Sequence, residues 1–155
     1  MIDMTFVAQL GGQEGVLART IWGEARGDGV AGMRAVASVL MNRCTIATAY
    51  VAEHGRPHPL YGDGTPASAC LAPWQISSWN AKDPNRQKMI AVSAESDPVF
   101  AQAIDIAAEA IARTLQDPTD GATSYKTTAL PWPTEWGPEV PPLAVIGHQS
   151  FYQLA

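Results

Sequence analysis

Charge is scarce in this chain, and basic charge scarcest. Asp, Glu, Lys and Arg make up 16% of the 155 residues, below the usual quarter of a soluble domain. Fifteen acidic residues face ten basic ones, for a formal net charge of −5 and a pI near 5.0. A phosphate backbone needs a concentrated Lys/Arg stripe, and none is present, which argues against nucleic acid as a partner. No apolar run reaches the roughly 18 residues that cross a bilayer, so no integral membrane segment is expected. The opening MIDMTFVAQLGGQEG has no basic region, and its FVAQL is short for a signal h-region. The expectation is a protein made in the cytoplasm without a signal peptide.

Cysteine is also rare. Cys44 and Cys70 are the only two. Bridged, they would close a loop of about 25 residues, worth about 3 kcal/mol. Free, they would serve as two small buried hydrophobes. Spacing leaves both open. Metal-binding spacing is missing: Gly55 and Pro57 lie between His54 and His58 and forbid the helix that would face both inward. There is no phosphate-cradling glycine loop and no Gly-x-Ser-x-Gly elbow, so neither metal nor cofactor is expected.

What is present is enough for one core. Hydrophobic residues make up 46% of a length that suits a single domain, taken here as 1–155. Thirteen glycines and twelve prolines predict long ordered loops. Leu17, Ile21 and Glu24 share one face of a helix over Gln13–Ala25, which Gly27 stops. Asp28 can cap a second helix, whose stripe of Met33, Val36, Ala37, Leu40 and Met41 predicts an end near Asn42 or Arg43. Seven glycines and prolines make Cys44–Asn80 mostly loop, with a short strand within Ala72–Trp79. Asp83-Pro84 and Asp97-Pro98 each start a helix, the second striped by Phe100, Ala103, Ile104, Ala107, Ile111 and Leu115. Two β segments fit near Ala122–Lys126 and Ala144–Tyr152. The class is α+β, mainly helical.

Glu24 stands out because it sits on an apolar stripe. Such a stripe faces the core, so the carboxyl points inward or into a cleft. Desolvation raises the pKa of a carboxyl there and lets it act as a general acid. The structural alternative is an ion pair with Arg26 or Arg43.

The surroundings of Glu24 carry a pattern. Leu17-Ala18-Arg19 leads to Glu24-Ala25-Arg26-Gly27-Asp28, and a second helix carries Asn42-Arg43. Further on come Cys70-Leu71-x-Pro73-Trp74-Gln75-x-Ser77-x-Trp79-Asn80-x-x-Asp83-Pro84-Asn85-Arg86 and Gly121-Ala122-Thr123-x-Tyr125. Pro133-x-x-Trp136 and Ile146-Gly147-His148-x-x-Phe151-Tyr152 close the series. Together these blocks resemble the SleB/CwlJ-type cell-wall hydrolase family from about Glu14 to Tyr152.

The resemblance implies a lysozyme-like fold with a small β element and a peptidoglycan glycan strand as partner. It implies cleavage between N-acetylmuramic acid and N-acetylglucosamine by the lytic transglycosylase route, with Glu24 as the single acid and base. An ordinary glycosidase needs a second carboxyl about 5–5.5 Å or 6.5–9.5 Å away. Asp28, Asp63 and Asp83 are the candidates; Asp28 and Asp83 read as caps and Asp63 lies on a glycine-rich loop.

Supporting roles fall to five further residues. Gln75 would bond a sugar N-acetyl or hydroxyl, or face solvent on its strand. Trp79, like Trp74, would stack on a sugar or lie in the core. Asn80 would donate to substrate or cap a turn, and Tyr125 would donate near the scissile bond. His148 would orient Tyr125 or Glu24, or be structural; Gln149 carries little information. Ser124 stands where family members often have histidine, so no histidine role is expected there. The alternatives are a hydrolytic muramidase and a catalytically silent wall-binding domain. A bacteriophage endolysin, monomeric and reaching the wall with the help of a holin, fits the expected leaderless start. With a net charge of −5 facing an anionic wall, binding must come from the cleft.

Overall fold

Side-chain caps open four of the helices. Asp3 accepts the N–H groups of Thr5 and Phe6 and starts α1, Met4–Gln9. Thr65 accepts Ser68 N–H at the head of α4, Pro66–Leu71. Asp83 and Asp97 do the same for α5 (Pro84–Ala91) and α6 (Pro98–Ile111), each followed by the proline that the sequence pattern uses as a start signal. Two longer helices, α2 (Gly12–Ala25) and α3 (Gly29–His54), meet at a 3-10 turn, Arg26–Asp28. The computed structural model describes residues 2–154.

α2 is the central element and packs against α3, α4, α5 and α6. It buries Val16, Leu17, Ala18, Thr20, Ile21, Trp22 and Ala25. Full burial of a Leu or Ile contributes about 1.5–3 kcal/mol, so this helix anchors the core. Gly23 is required for the close approach of α5: a Cβ there would lie 2.5 Å from Met89 Sδ. Arg19 ties the same two helices, its Nη1 donating to the carbonyls of Met89, Ile90 and Val92 at 2.8–3.0 Å. These caught carbonyls are the open end of α5.

Several expectations need correction. α3 does not stop at Asn42 or Arg43 but runs on to His54, where Gly55 at φ +69° ends it. Those two polar residues face partners elsewhere in the fold, so their polarity marks no end. Cys44–Asn80 is accordingly half helix, with α3's last turns and α4 inside it. No strand forms over Ala72–Trp79. Trp74 adopts a left-handed φ of +68°, which breaks extension, and a 3-10 turn follows at Ser77–Trp79. On α6 the buried face is Phe100, Ala103, Ile106, Ala107 and Ala110, rotated away from Ile104 and Ile111. Cys44 and Cys70 are free and buried, which pushes their thiols up to about 11 and about 12.

The C-terminal β segments form one antiparallel sheet in the order β1-β3-β2: β1 Ser124–Thr127, β2 Ala144–Ile146 and β3 Gln149–Tyr152. Tyr125 pairs with Phe151, and Ala144 sits on the other side of Phe151. The stretch read as one segment, Ala144–Tyr152, is thus a hairpin that turns at Gly147. Gly147 is obligatory: φ is +60°, and a Cβ would meet the Asp28 carboxyl at 2.6 Å. The architecture is α+β and mainly helical, as the sequence predicts. By length and composition alone Gly12–His54 would pass as a membrane span; 56% of its apolar window is buried within the fold.

Candidate active site

Glu24 sits in the last turn of α2, half-buried, and opens onto a cleft of about 810 Å³. α3 contributes Arg43 to its wall, the loop after α4 contributes Trp74 and Gln75, and the sheet contributes Tyr125 and Gln149. The Tyr125 hydroxyl donates to Glu24 Oε1 at 2.5 Å. Strand β1 aims that hydroxyl, because the Tyr125 ring rests against Phe151 with centres 5.8 Å apart.

Burial pushes the Glu24 carboxyl above the ordinary carboxylate range. The Tyr125 hydroxyl and then Ser78 work the other way, Asp83 pushes up, and Arg43 pulls down. Ser78 Oγ is buried against the carboxyl without a bond of standard geometry. Burial, and then the charge of Glu24, holds Tyr125 well above an ordinary tyrosine, so its O–H remains a donor. The result is a carboxyl whose protonated form is favoured by burial and that can give its proton to a group in the cleft.

The structural alternative for Glu24, an ion pair with Arg26 or Arg43, does not form among the described residues. Arg26 donates to the carbonyls of Trp22 and Gly23 and to Asn85 Oδ1. Arg43 donates from Nε to the Thr123 carbonyl at 2.7 Å, and its neighbour Asn42 donates to Ala122 O and Asp117 Oδ2 at 2.9 Å. The Asn-Arg pair therefore pins the approach to β1 onto α3, which is how Tyr125 comes to face Glu24.

Of the other expected site residues, only some reach the cleft. Gln75 does, from a turn rather than a strand. Trp79 does not: it is a core residue, its Nε1 donating to Thr20 Oγ1 at 2.9 Å and its ring edge-on to Phe6. A ring buried in the core cannot stack on a sugar in the cleft. Asn80 is exposed and closes the 3-10 turn, its N–H donating to Ser77 O, so it takes the capping role. His148 touches neither Tyr125 nor Glu24; with its side chain 85% exposed, it bonds Asp28 Oδ1 at 2.7 Å. Asp28 also accepts His148 N–H at 3.0 Å, and its side chain caps no helix.

Trp74, weighed in the sequence as a sugar platform or a core residue, is not core: it stands 90% exposed at the cleft. Trp136 and Glu135, to which the sequence reading gave no role, line the cleft from the 3-10 turn Thr134–Trp136. Trp136 is braced by Trp132 and Tyr152. Among the described residues four buried side-chain polar atoms lack partners, and three belong to Arg43, Ser78 and Gln149. Buried polar atoms are nearly always bonded, and three of these four exceptions sit on residues of the cleft wall or beside Glu24.

In a mainly helical α+β domain, a carboxyl whose protonated form is favoured and that lines an open cleft can support acid–base chemistry on a bound substrate. The sequence profile of the cell wall hydrolase family matches residues 27–152, and the chain belongs to that family. Its substrate is accordingly peptidoglycan, and its activity is degradation of that wall. The match begins three residues after Glu24. Neither the curated proteins nor the solved structures yield a match.

Proposed function

We propose that this enzyme cuts the glycan strand between N-acetylmuramic acid and N-acetylglucosamine by the lytic transglycosylase route. The observation that carries the reading is Glu24: desolvated at the cleft base, with its Oε1 held by Tyr125 at 2.5 Å. In the first half of the reaction Glu24 protonates the glycosidic oxygen, and the C1–O bond breaks. The resulting carboxylate then takes the proton of the muramoyl C6 hydroxyl, whose oxygen bonds C1 to close the 1,6-anhydro ring. Glu24 ends protonated, as it began. Because the nucleophile belongs to the substrate, one carboxyl is sufficient.

The surrounding acids support that economy. Asp83 is engaged by Asn85 N–H at 2.8 Å, Asp63 by Thr65 and Asp28 by His148. Gln75 on the cleft wall is suited to the N–H and O–H groups of a sugar, and exposed Trp74 offers it a flat face. A catalytically silent domain would have no use for a desolvated acid at the cleft base.

Hydrolysis is the second reading, and Glu135 favours it as an exposed carboxylate on the rim of the same cleft. Digestion of purified Gram-negative sacculi, with products read by mass spectrometry, separates the two. Muropeptides one water lighter than hydrolytic fragments, lost in Glu24→Gln and kept in Glu135→Gln, support the lytic route. Reducing-end muramic acid, lost in both variants, supports hydrolysis. Cleaved stems on intact glycans would reject both. An endolysin role belongs to the proposal: co-expression with a pore-forming holin lyses cells, and Glu24→Gln does not.

A further inference from the structure

Arg43 is a buried cation without an anion. It is 5% exposed, and among the described residues it forms no ion pair. Nε bonds the Thr123 carbonyl, and the guanidinium lies 5.1 Å from the Tyr61 ring centre. Nη1 is buried and has no acceptor. Pinning Thr123 needs only one of its N–H groups and no charge. Burying the charge beyond that is costly unless a partner repays it.

The reaction itself makes such a partner. Arg43 and Glu24 line one cleft, on the packed helices α3 and α2. Burial favours the neutral form of Glu24, which turns negative when it gives up its proton. We infer that Arg43 is a positioning residue, its fixed charge held in wait for the Glu24 carboxylate. It stabilises that carboxylate between proton donation to the leaving oxygen and proton recovery from the C6 hydroxyl. A preorganised charge of this kind costs no reorientation at the moment of reaction. The other groups facing Glu24 do not supply it: Tyr125 on β1 and Ser78 on the 3-10 turn are neutral, and Asp83 at the head of α5 is negative. The inference rests on the proposed role of Glu24.

The test titrates Glu24 directly by NMR of protein labelled with carboxyl-¹³C glutamate, without substrate. Glu24→Gln identifies the resonance. Arg43→Gln keeps a donor for Thr123 but loses the charge, so the Glu24 midpoint moves up, by less than on loss of the Tyr125 hydroxyl. On sacculi its kcat falls while KM holds, and Arg43→Lys recovers much of both midpoint and kcat. A folded Arg43→Gln with an unmoved midpoint overturns the inference and leaves Arg43 a purely structural pin. Should Arg43→Gln fail to fold, Arg43→Lys decides. A near-normal midpoint with near-normal kcat supports the inference, and a normal midpoint with lost kcat overturns it. Failure of the underlying reading looks different: Glu24→Gln would then still cleave the strand.

Discussion

Replacing Tyr125 with phenylalanine removes one oxygen and little else. The ring keeps its place against Phe151, so packing is retained and the hydroxyl's effect on Glu24 is isolated. A hydrogen bond to a charged group is worth about 1.5–3 kcal/mol, equivalent to about one to two pH units in the acid it serves. The neutral carboxyl keeps part of the same bond, so the lower end, about one unit, is expected. The sign is upward: the O–H favours the carboxylate, and its loss favours the protonated acid. On the proposed route Glu24 must be protonated to start the reaction, so the alkaline limb of the kcat/KM profile on sacculi moves up by that amount. At a fixed pH below the limb the rate changes less than it does above it. A Tyr125→Phe profile superposable on the wild type, with the rate lowered uniformly, would refute the reasoning and make the tyrosine a substrate contact.

Three further substitutions probe the same frame. Glu24→Gln raises the melting temperature at neutral and alkaline pH. Burial lifts the folded-state value of Glu24 above its unfolded one, so its stability is intact below about pH 4 and is lost as pH rises through the folded value. Parallel melts at both pH extremes check this, and equal differences at both would contradict it. Trp74→Gly relieves a left-handed φ of +68° at an exposed site. The melting temperature holds or rises while KM for glycan strands increases several-fold; an unchanged KM would remove Trp74 from the binding surface. Thr20→Val leaves the Trp79 indole N–H buried without its acceptor, at about 1–3 kcal/mol in urea unfolding, with KM unchanged. A selective KM effect would return Trp79 to the sugar site.

The legible parts of the fold were those decided locally. Asp83-Pro84 and Asp97-Pro98 start helices because a carboxylate and a ring that fixes φ act within one turn. What failed was decided far along the chain. Asn42 and Arg43 read as the end of a helix because their partners, the carbonyls of Ala122 and Thr123, were out of view. Trp79 and His148 carry the right chemistry for a sugar site, yet Thr20 and Asp28 claim them first. Neither claim leaves a trace in spacing. The hairpin at Gly147 is similar: its need for a bare α-carbon comes from Asp28, on a different part of the molecule.

The site was more legible than its assignments suggest, because one rule covers its two charges. Glu24 drew attention as a polar residue on the stripe of Leu17 and Ile21. Arg43 occupies the same kind of place, three residues after Leu40, seven after Val36 and four before Ala47, all of them fully buried. A helix that carries a charge on its core face must find that charge a role, since burying it without a partner is costly. For the polar part of Asn42-Arg43 the role is the pin to β1, which delivers Tyr125. For the guanidinium charge the pin is not enough, since a neutral donor would make it equally well. α2 and α3 thus each bring one ionisable group from an apolar stripe to the wall of one cleft. Opposite charges placed this way stay apart in energy while Glu24 is neutral and meet when it ionises. That geometry ties the burial of Arg43 to the protonation state of Glu24, and it makes the two residues' substitutions non-additive in any assay that senses the acid.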